Sequence, residues 1–235
     1  MAISSTSQTT EKNSFSAGIN MINADVYGKY NLSKKSYIEI SARKSITDFL
    51  ETPTYKEYFN KVFQNTTITD FSQNQNLNYK SDKKFGFYDA TLKYAQKIGN
   101  KDLLVLDLIT IKDNLEVFQS ATVYDINTSE NNVLRQQNYG GNLSWKRNWN
   151  NFNTTKINVY NSAYELLANQ KTTFGDQIVI QENTVNNNGI NMENHHIISS
   201  KISLSDGYQF NEIVVRNVDV VKTPIFSRKI KEVLK

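Results

Sequence analysis

Apolar and polar residues alternate with a period of two over most of the chain, and the unit that sets the pattern lies at residues 36–63. There Ile38, Ile40 and Ala42 share one parity and Glu39, Ser41 and Arg43 the other, so an extended chain turns the two sets to opposite sides. Just before it, Ile22, Ala24, Val26, Tyr30 and Leu32 alternate with Asn23, Asp25, Tyr27, Lys29 and Asn31, and Ser33-Lys34-Lys35 turns the chain into an antiparallel hairpin. Alternation resumes at Tyr88, Ala90, Leu92 and Tyr94, turns at residues 99–101, and returns through Leu104, Leu106 and Leu108. Tyr139, Leu143, Trp145 and Trp149 share the parity of the next strand, in which Gly140-Gly141 predicts a bend or bulge. After a turn at residues 150–153 come Ile157, Val159 and Ala163. A long return follows through Ile190, Met192, Ile198, Ile202 and Leu204, and Asp206-Gly207 predicts a hairpin into an eighth strand over residues 208–218.

The connections predict more than the strands do. Four are tight, at residues 33–35, 99–101, 150–153 and 206–207, and all fall at one end. Those at the other end read as long polar excursions, over residues 48–84, 120–132 and 170–176 and again from Asp219. Short turns at one end and long loops at the other are the habit of membrane barrels. Tyr30, Tyr94, Trp145, Trp149 and Tyr208 cluster near the tight turns, where an interfacial aromatic girdle would lie. In the first excursion Thr52 caps a predicted short helix with Pro53 at its first position, and Tyr55, Tyr58, Phe59, Val62 and Phe63 recur at helical spacing. The expected fold is therefore all-β: an antiparallel up-and-down transmembrane β-barrel segment of about eight strands, an incomplete barrel, with long extracellular loops and one short loop helix. A polar lead (1–13) precedes a single partial barrel domain (14–235).

Composition sharpens this picture. Hydrophobic residues make up only 38% of the 235, yet 13 Tyr and 12 Phe are present, and mean hydropathy is −0.56. That is too aromatic for disorder and too polar for a thick core. Cysteine is absent, which excludes a disulfide framework and thiolate chemistry. The net charge of +4 is spread along the chain and gives no support to a nucleic-acid partner. The most apolar run, residues 103–109, is short and carries Asp107, and the Ser/Thr-rich first residues lack an apolar signal core.

Candidate chemistry is sparse. No nucleophile elbow, phosphate loop or zinc motif is present, so the chain is not expected to be an enzyme or to carry a cofactor or metal. His195 and His196 are adjacent and point to opposite sides of a strand, so they cannot join in one metal site. Asp25, Lys29, Glu39 and Arg43 share the polar parity of one hairpin and are the candidate wall residues facing the lumen; mutual ion pairing is their simpler role. Tyr55, Tyr58 and Phe59 are the loop candidates for contact with a ligand, against simple loop packing.

Three stretches resemble barrel segments of one family, the Bacteroidetes-type TonB-dependent outer-membrane receptors, which have a plug and a barrel of about 22 strands. They are Ile40-Ser41-Ala42-Arg43-Lys44-Ser45-Ile46-Thr47-Asp48 leading into Thr52-Pro53-Thr54-Tyr55; Gly207-Tyr208-Gln209-Phe210-Asn211-Glu212; and Asn217-Val218-Asp219-Val220 with Ile225-Phe226-Ser227-Arg228-Lys229-Ile230. The resemblance implies a Gram-negative outer-membrane location and energised nutrient uptake by the parent protein. Its partners would be outer-membrane lipid, the remainder of the barrel, a plug, TonB and a surface lipoprotein. No plug or TonB-contacting segment is recognisable, so the chain is expected to be a fragment that does not transport alone. The alternative is a soluble or secreted β-rich glycan-binding module whose apolar parity meets a second sheet.

Overall fold

The computed structural model describes residues 12–47, 50–57, 78–123, 126–173 and 176–234. Ten strands account for nearly all of them: β1 (Ser14–Ile19), β2 (Asn23–Ser33), β3 (Ser36–Ser45), β4 (Asn78–Ile98), β5 (Asp102–Val123), β6 (Ile126–Asn148), β7 (Asn153–Thr172), β8 (Gln177–Ser199), β9 (Ile202–Thr223) and β10 (Phe226–Leu234). They form one antiparallel sheet in which every strand pairs with its neighbours in sequence, and the sheet is not closed into a barrel. The all-β, up-and-down expectation holds, with ten strands in place of about eight.

The two extra strands are β1 and β10, short pieces at the sheet's two edges. β1 turns into β2 at residues 20–22, where the Asn20 side chain accepts hydrogen bonds from the backbone N–H groups of Ile22 (2.8 Å) and Asn23 (2.9 Å). This is the turn chemistry of Asn, whose short side chain mimics a backbone acceptor.

Two sequence expectations are corrected at the connections. Most of the expected excursions are strand: β5 and β6 are joined by residues 124–125 and β7 and β8 by residues 173–176. Polar residues on both faces hid these extensions, because a strand held by its backbone ladder needs no apolar side. Only the β3 to β4 connection, residues 46–77, is long. Asp206-Gly207 is not a turn either. It lies inside β9, where Gly207 pairs with Glu193, and the chain reverses at residues 200–201. A Cβ on Gly207 would run into the Met192 carbonyl, so glycine is required there by close backbone approach and not by a reversal.

Gly140-Gly141 makes no bulge, since the β5 to β6 and β6 to β7 registers pass through both residues unbroken. A Cβ on Gly140 would meet Ile109 Cγ2 at 2.8 Å and one on Gly141 would meet Leu108 Cδ2 at 3.3 Å. The glycines make room for two β5 side chains, one on each face. At the β4 to β5 turn, Gly99 takes φ +62°, a conformation that costs glycine little.

The expected helix is present as Pro53 to Glu57, capped by Thr52: its Oγ1 accepts from the Tyr55 N–H at 3.2 Å, and its carbonyl accepts from the Lys56 N–H at 3.1 Å. The Thr52 hydroxyl also donates to the Met21 carbonyl at 2.7 Å, tying the loop to the β1 to β2 turn. Tyr58, Phe59, Val62 and Phe63 lie outside the described residues.

A Gly-Ser pair inserted between Ser200 and Lys201 is expected to leave far-UV circular dichroism unchanged. The same insertion between Asp206 and Gly207 breaks the β8 to β9 ladder and lowers strand content, and loss at both sites or at neither would contradict this turn assignment.

Candidate functional site

The pairing registers place the side chains in rows, because directly opposed residues of an antiparallel pair point to the same face. One row crosses eight strands without a polar interruption: Tyr30, Ile38, Tyr94, Leu106, Leu143, Val159, Ile190 and Phe210, each paired with the next. The face that carries it, here the Ile38 face, is uncovered. Val26, Tyr30, Ile40, Tyr88, Leu108, Tyr139, Leu143, Val159, Tyr208 and Phe210 are all exposed, Phe210 at 52% and Tyr208 at 61%. Among the described residues no second layer covers them.

Towards the tight turns this face changes character within four residues. The next row, Leu104, Trp145, Ile157, Met192 and Tyr208, is still mainly apolar, and the one beyond is wholly polar: Asp102, Arg147, Thr155, Asn194 and Asp206. Its members are bonded sideways. Arg147 Nη1 lies 3.7 Å from Asp102 Oδ1, Thr155 donates to Asn194 Oδ1 at 2.9 Å, and Asn194 Nδ2 donates to Asp206 Oδ2 at 3.0 Å. Of the five aromatics expected near the tight turns, Trp145 and Tyr208 stand in the Leu104 row, Tyr30 and Tyr94 stand one row further in, and Trp149 follows the end of β6. Trp145 Nε1 donates to Asp102 at 3.0 Å, Trp149 Nε1 to Thr155 at 2.9 Å, and Tyr94 Oη to Gln96 at 2.8 Å. The Arg147 guanidinium lies over the Trp149 ring, 4.4 Å from its centre.

The opposite, Glu39 face reverses the preference. One residue away from the apolar row runs Lys29, Glu39, Lys93 and Asp107, charges of alternating sign on four adjacent strands. Lys29 Nζ is 3.2 Å from Glu39 Oε1 and Lys93 Nζ is 3.8 Å from Asp107 Oδ1. The row continues through Asn142, Tyr160, Gly189 and Asn211; a Cβ on Gly189 would strike the Tyr160 ring, so the missing side chain is what lets that ring lie flat. Buried residues gather on this face, with Tyr37, Lys93, Ala95, Val105, Leu115, Val117 and Gln119 all odd-numbered on β3 to β5.

All four candidate wall residues lie on the Glu39 face. Lys29 meets Glu39 as described, whereas Arg43 reaches away from its register partner Asp25: its Nη2 is 2.7 Å from Asp89 Oδ2. Lys93, Asp107 and Asp89 thus complete the charged wall, and parity would have included them once the β3 to β4 register was known. Tyr55 sits elsewhere, 7% exposed against Leu115, Val117, Phe85 and Leu134 at the end of the sheet away from the tight turns. His195 and His196 bond separately, to Ser205 at 3.0 Å and Asn153 at 2.8 Å. Among the described residues no group of three His, Asp or Glu gathers as a metal site.

No protein-family model matches the chain, and no curated protein matches it. What the geometry itself defines is a single antiparallel sheet with one exposed apolar face and one charged face.

A double-mutant cycle checks the charged row. Glu39→Gln removes the carboxylate 3.2 Å from Lys29 Nζ and is expected to cost about 1–3 kcal/mol of stability. Lys29→Met combined with Glu39→Gln should cost less than the sum of the two single changes, read as urea midpoints in detergent; strict additivity would show that the pair is not coupled.

Proposed function

We propose that this chain is part of the wall of an outer-membrane β-barrel belonging to a TonB-dependent receptor. The Ile38 face meets lipid and the Glu39 face lines the plug-filled lumen. The observation that carries the reading is the uncovered apolar row from Tyr30 to Phe210, bounded on its turn side by the polar row from Asp102 to Asp206. A water-exposed sheet has no reason to present eight apolar side chains in register, and a sandwich would cover them. On the Ile38 face β5 is apolar at Leu104, Leu106 and Leu108, between Asp102 and Thr110. At 22 residues β5 is about 70 Å long, so such strands project well past a bilayer on the side away from the tight turns.

The resemblance to TonB-dependent receptors supplies the family in this reading. Its three stretches fall on β3 with the capped loop, on β9 and on the β9 to β10 hairpin. The parent's function is energised uptake of a nutrient across a Gram-negative outer membrane. This chain contributes wall, not catalysis, and does not transport alone, because among the described residues β1 and β10 leave two unpaired edges. TonB, the plug and the remaining wall strands are its implied partners, and a surface lipoprotein would approach from the side of the long 46–77 connection.

The test is detergent dependence. The refolded chain should aggregate in plain buffer and stay dispersed with high strand content in detergent; a soluble monomer in buffer would favour the glycan-binding alternative and overturn the reading. In micelles or bilayers Leu143→Arg should cost about 2–4 kcal/mol, whereas Asn142→Arg, one residue away on the other face, should cost far less. Equal costs would contradict the assignment of lipid and lumen to the two faces.

A further inference from the structure

We propose that the tight-turn end of the Glu39 face is a docking row for an acidic polypeptide, a segment that fills the lumen and presents carboxylates at that mouth. The row is Lys97, Leu103, Lys146, Lys156, Glu193 and Gly207, each the register partner of the next. Lys146 and Lys156 stand directly opposite each other on β6 and β7, where like charges repel. At the other end of the row Lys35 lies beside Lys97, its carbonyl accepting from the Lys97 N–H at 2.7 Å.

The charges of this row do not cancel. Further in on the same face, Lys29, Glu39, Lys93 and Asp107 alternate in sign and pair, so the face satisfies its own charges where the sequence supplies acids. Here the row's one acid, Glu193, accepts from Asn191 Nδ2 at 3.0 Å and stands opposite Lys156 without forming an ion pair. Counting it against Lys156 still leaves Lys97 and Lys146, and neither ammonium group is bonded to another described residue. Lys97, Lys146 and Lys156 are all exposed. On β6 to β9 the flanking rows carry no carboxylate: Ser144, Asn158, Asn191 and Gln209 stand on the inner side, and Asn148, Thr154, His195 and Ser205 on the outer. Asp102 and Asp206 lie on the opposite face, engaged with Arg147 and Asn194.

An opposed pair of lysines costs the sheet stability, and a partner carboxylate removes that cost. Adjacent strands lie about 5 Å apart, so one carboxylate set between Lys146 and Lys156 reaches both ammonium groups. What makes the partner a polypeptide is the row beside the lysines. Ser144, Asn158, Asn191 and Gln209 offer donors and acceptors together, which match peptide N–H and C=O groups. Phosphate oxygens only accept, so a phosphate-bearing partner would use the lysines and leave the amide oxygens unpaired. A second copy of this face would bring lysine to lysine. The inference rests on the lumen assignment of the Glu39 face and adds the charge of what fills that lumen.

The full chain in neutral, nonionic detergent provides the test, titrated with a fluorescein-labelled peptide of alternating Glu and Ser and read by fluorescence anisotropy. The acidic peptide should bind, its Gln and Ser counterpart should not, and about 0.5 M salt should abolish the binding. Lys146→Gln with Lys156→Gln should weaken it about tenfold or more, while Lys112→Gln with Lys171→Gln, the same change of net charge on the Ile38 face, should not. Without peptide, Lys146→Gln should raise the urea midpoint, because it removes a directly opposed like charge. A lowered midpoint would show that Lys146 serves the sheet itself and overturn the proposal. Equal binding of the two peptides, or equal loss in the two double variants, overturns it too, as does displacement of the acidic peptide by inorganic phosphate at equal charge. A chain that needs detergent but ignores the acidic peptide refutes the docking row alone, whereas one that is soluble in plain buffer refutes the barrel wall and the lumen with it.

Discussion

Register is the constraint on which the rest of this sheet depends. Tyr30, Ile38, Tyr94, Leu106, Leu143, Val159, Ile190 and Phe210 stand in one row, and their chain neighbours Lys29, Glu39, Lys93, Asp107, Asn142, Tyr160, Gly189 and Asn211 stand in another on the opposite face. Exchanging the two rows would bring Lys29, Glu39, Lys93, Asp107, Asn142 or Asn211 among the apolar side chains, and only on β7 and β8 would it bring Tyr160 and Gly189 instead. Most strand pairs from β2 to β9 therefore have their own reason to hold one alignment. Among the described residues of these strands the register shifts at Asn31/Ser33 and at Ile197/Ser199, in both cases beside a tight turn, so the irregularity is taken up where the rows have ended.

The two faces were legible in the sequence because period-two alternation survives without any knowledge of partners. Ile38, Ile40 and Ala42 against Glu39, Ser41 and Arg43 needed only the geometry of an extended chain. The Thr52-Pro53 start of the helix was legible for a similar reason, since capping is local chemistry. The charged wall was half legible: Lys29 and Glu39 share a hairpin, but Lys93 and Asp107 join them through the β3 to β4 register, which follows a connection of 32 residues and leaves no local mark. Asp206-Gly207 misled because glycine next to aspartate serves equally a reversal and a close backbone approach, and only the Met192 carbonyl distinguishes them.

The parts of the strands beyond the apolar band follow a different rule. On β6 and β8, residues such as Asn131, Asn132, Asn186 and Asn187 alternate nothing, yet the ladder continues through them. Their order comes from paired backbone groups and from side-chain bonds such as Asn132 Nδ2 to Glu130 at 2.8 Å and Gln170 Nε2 to the same carboxylate at 2.7 Å. Where β3 stops at Ser45, β4 continues without that neighbour, and the loop takes over. Thr47 donates to the Phe85 carbonyl, the Phe87 N–H donates to Ser45 Oγ at 2.9 Å, and Tyr55 covers Leu115 and Val117. The loop thus holds the edge of β4 beyond the end of β3.

The sheet's open edges bear on the same row. β10 pairs with β9 only from Val215 to Thr223, so the backbone beside Tyr208 and Phe210 has no outer neighbour among the described residues. On the other side β1 pairs with β2 from Ala24 to Lys29 and stops short of Tyr30. Among the described residues both ends of the apolar row therefore coincide with strand edges that no ladder continues. In water such edges are solvated; in hydrocarbon each unpaired N–H or C=O costs several kcal/mol. If the Ile38 face meets lipid as proposed, these edges need partners at the height of the row. A strand joining β9 there would then carry an apolar side chain opposite Phe210 and a polar one opposite Asn211, in keeping with the register of the other positions.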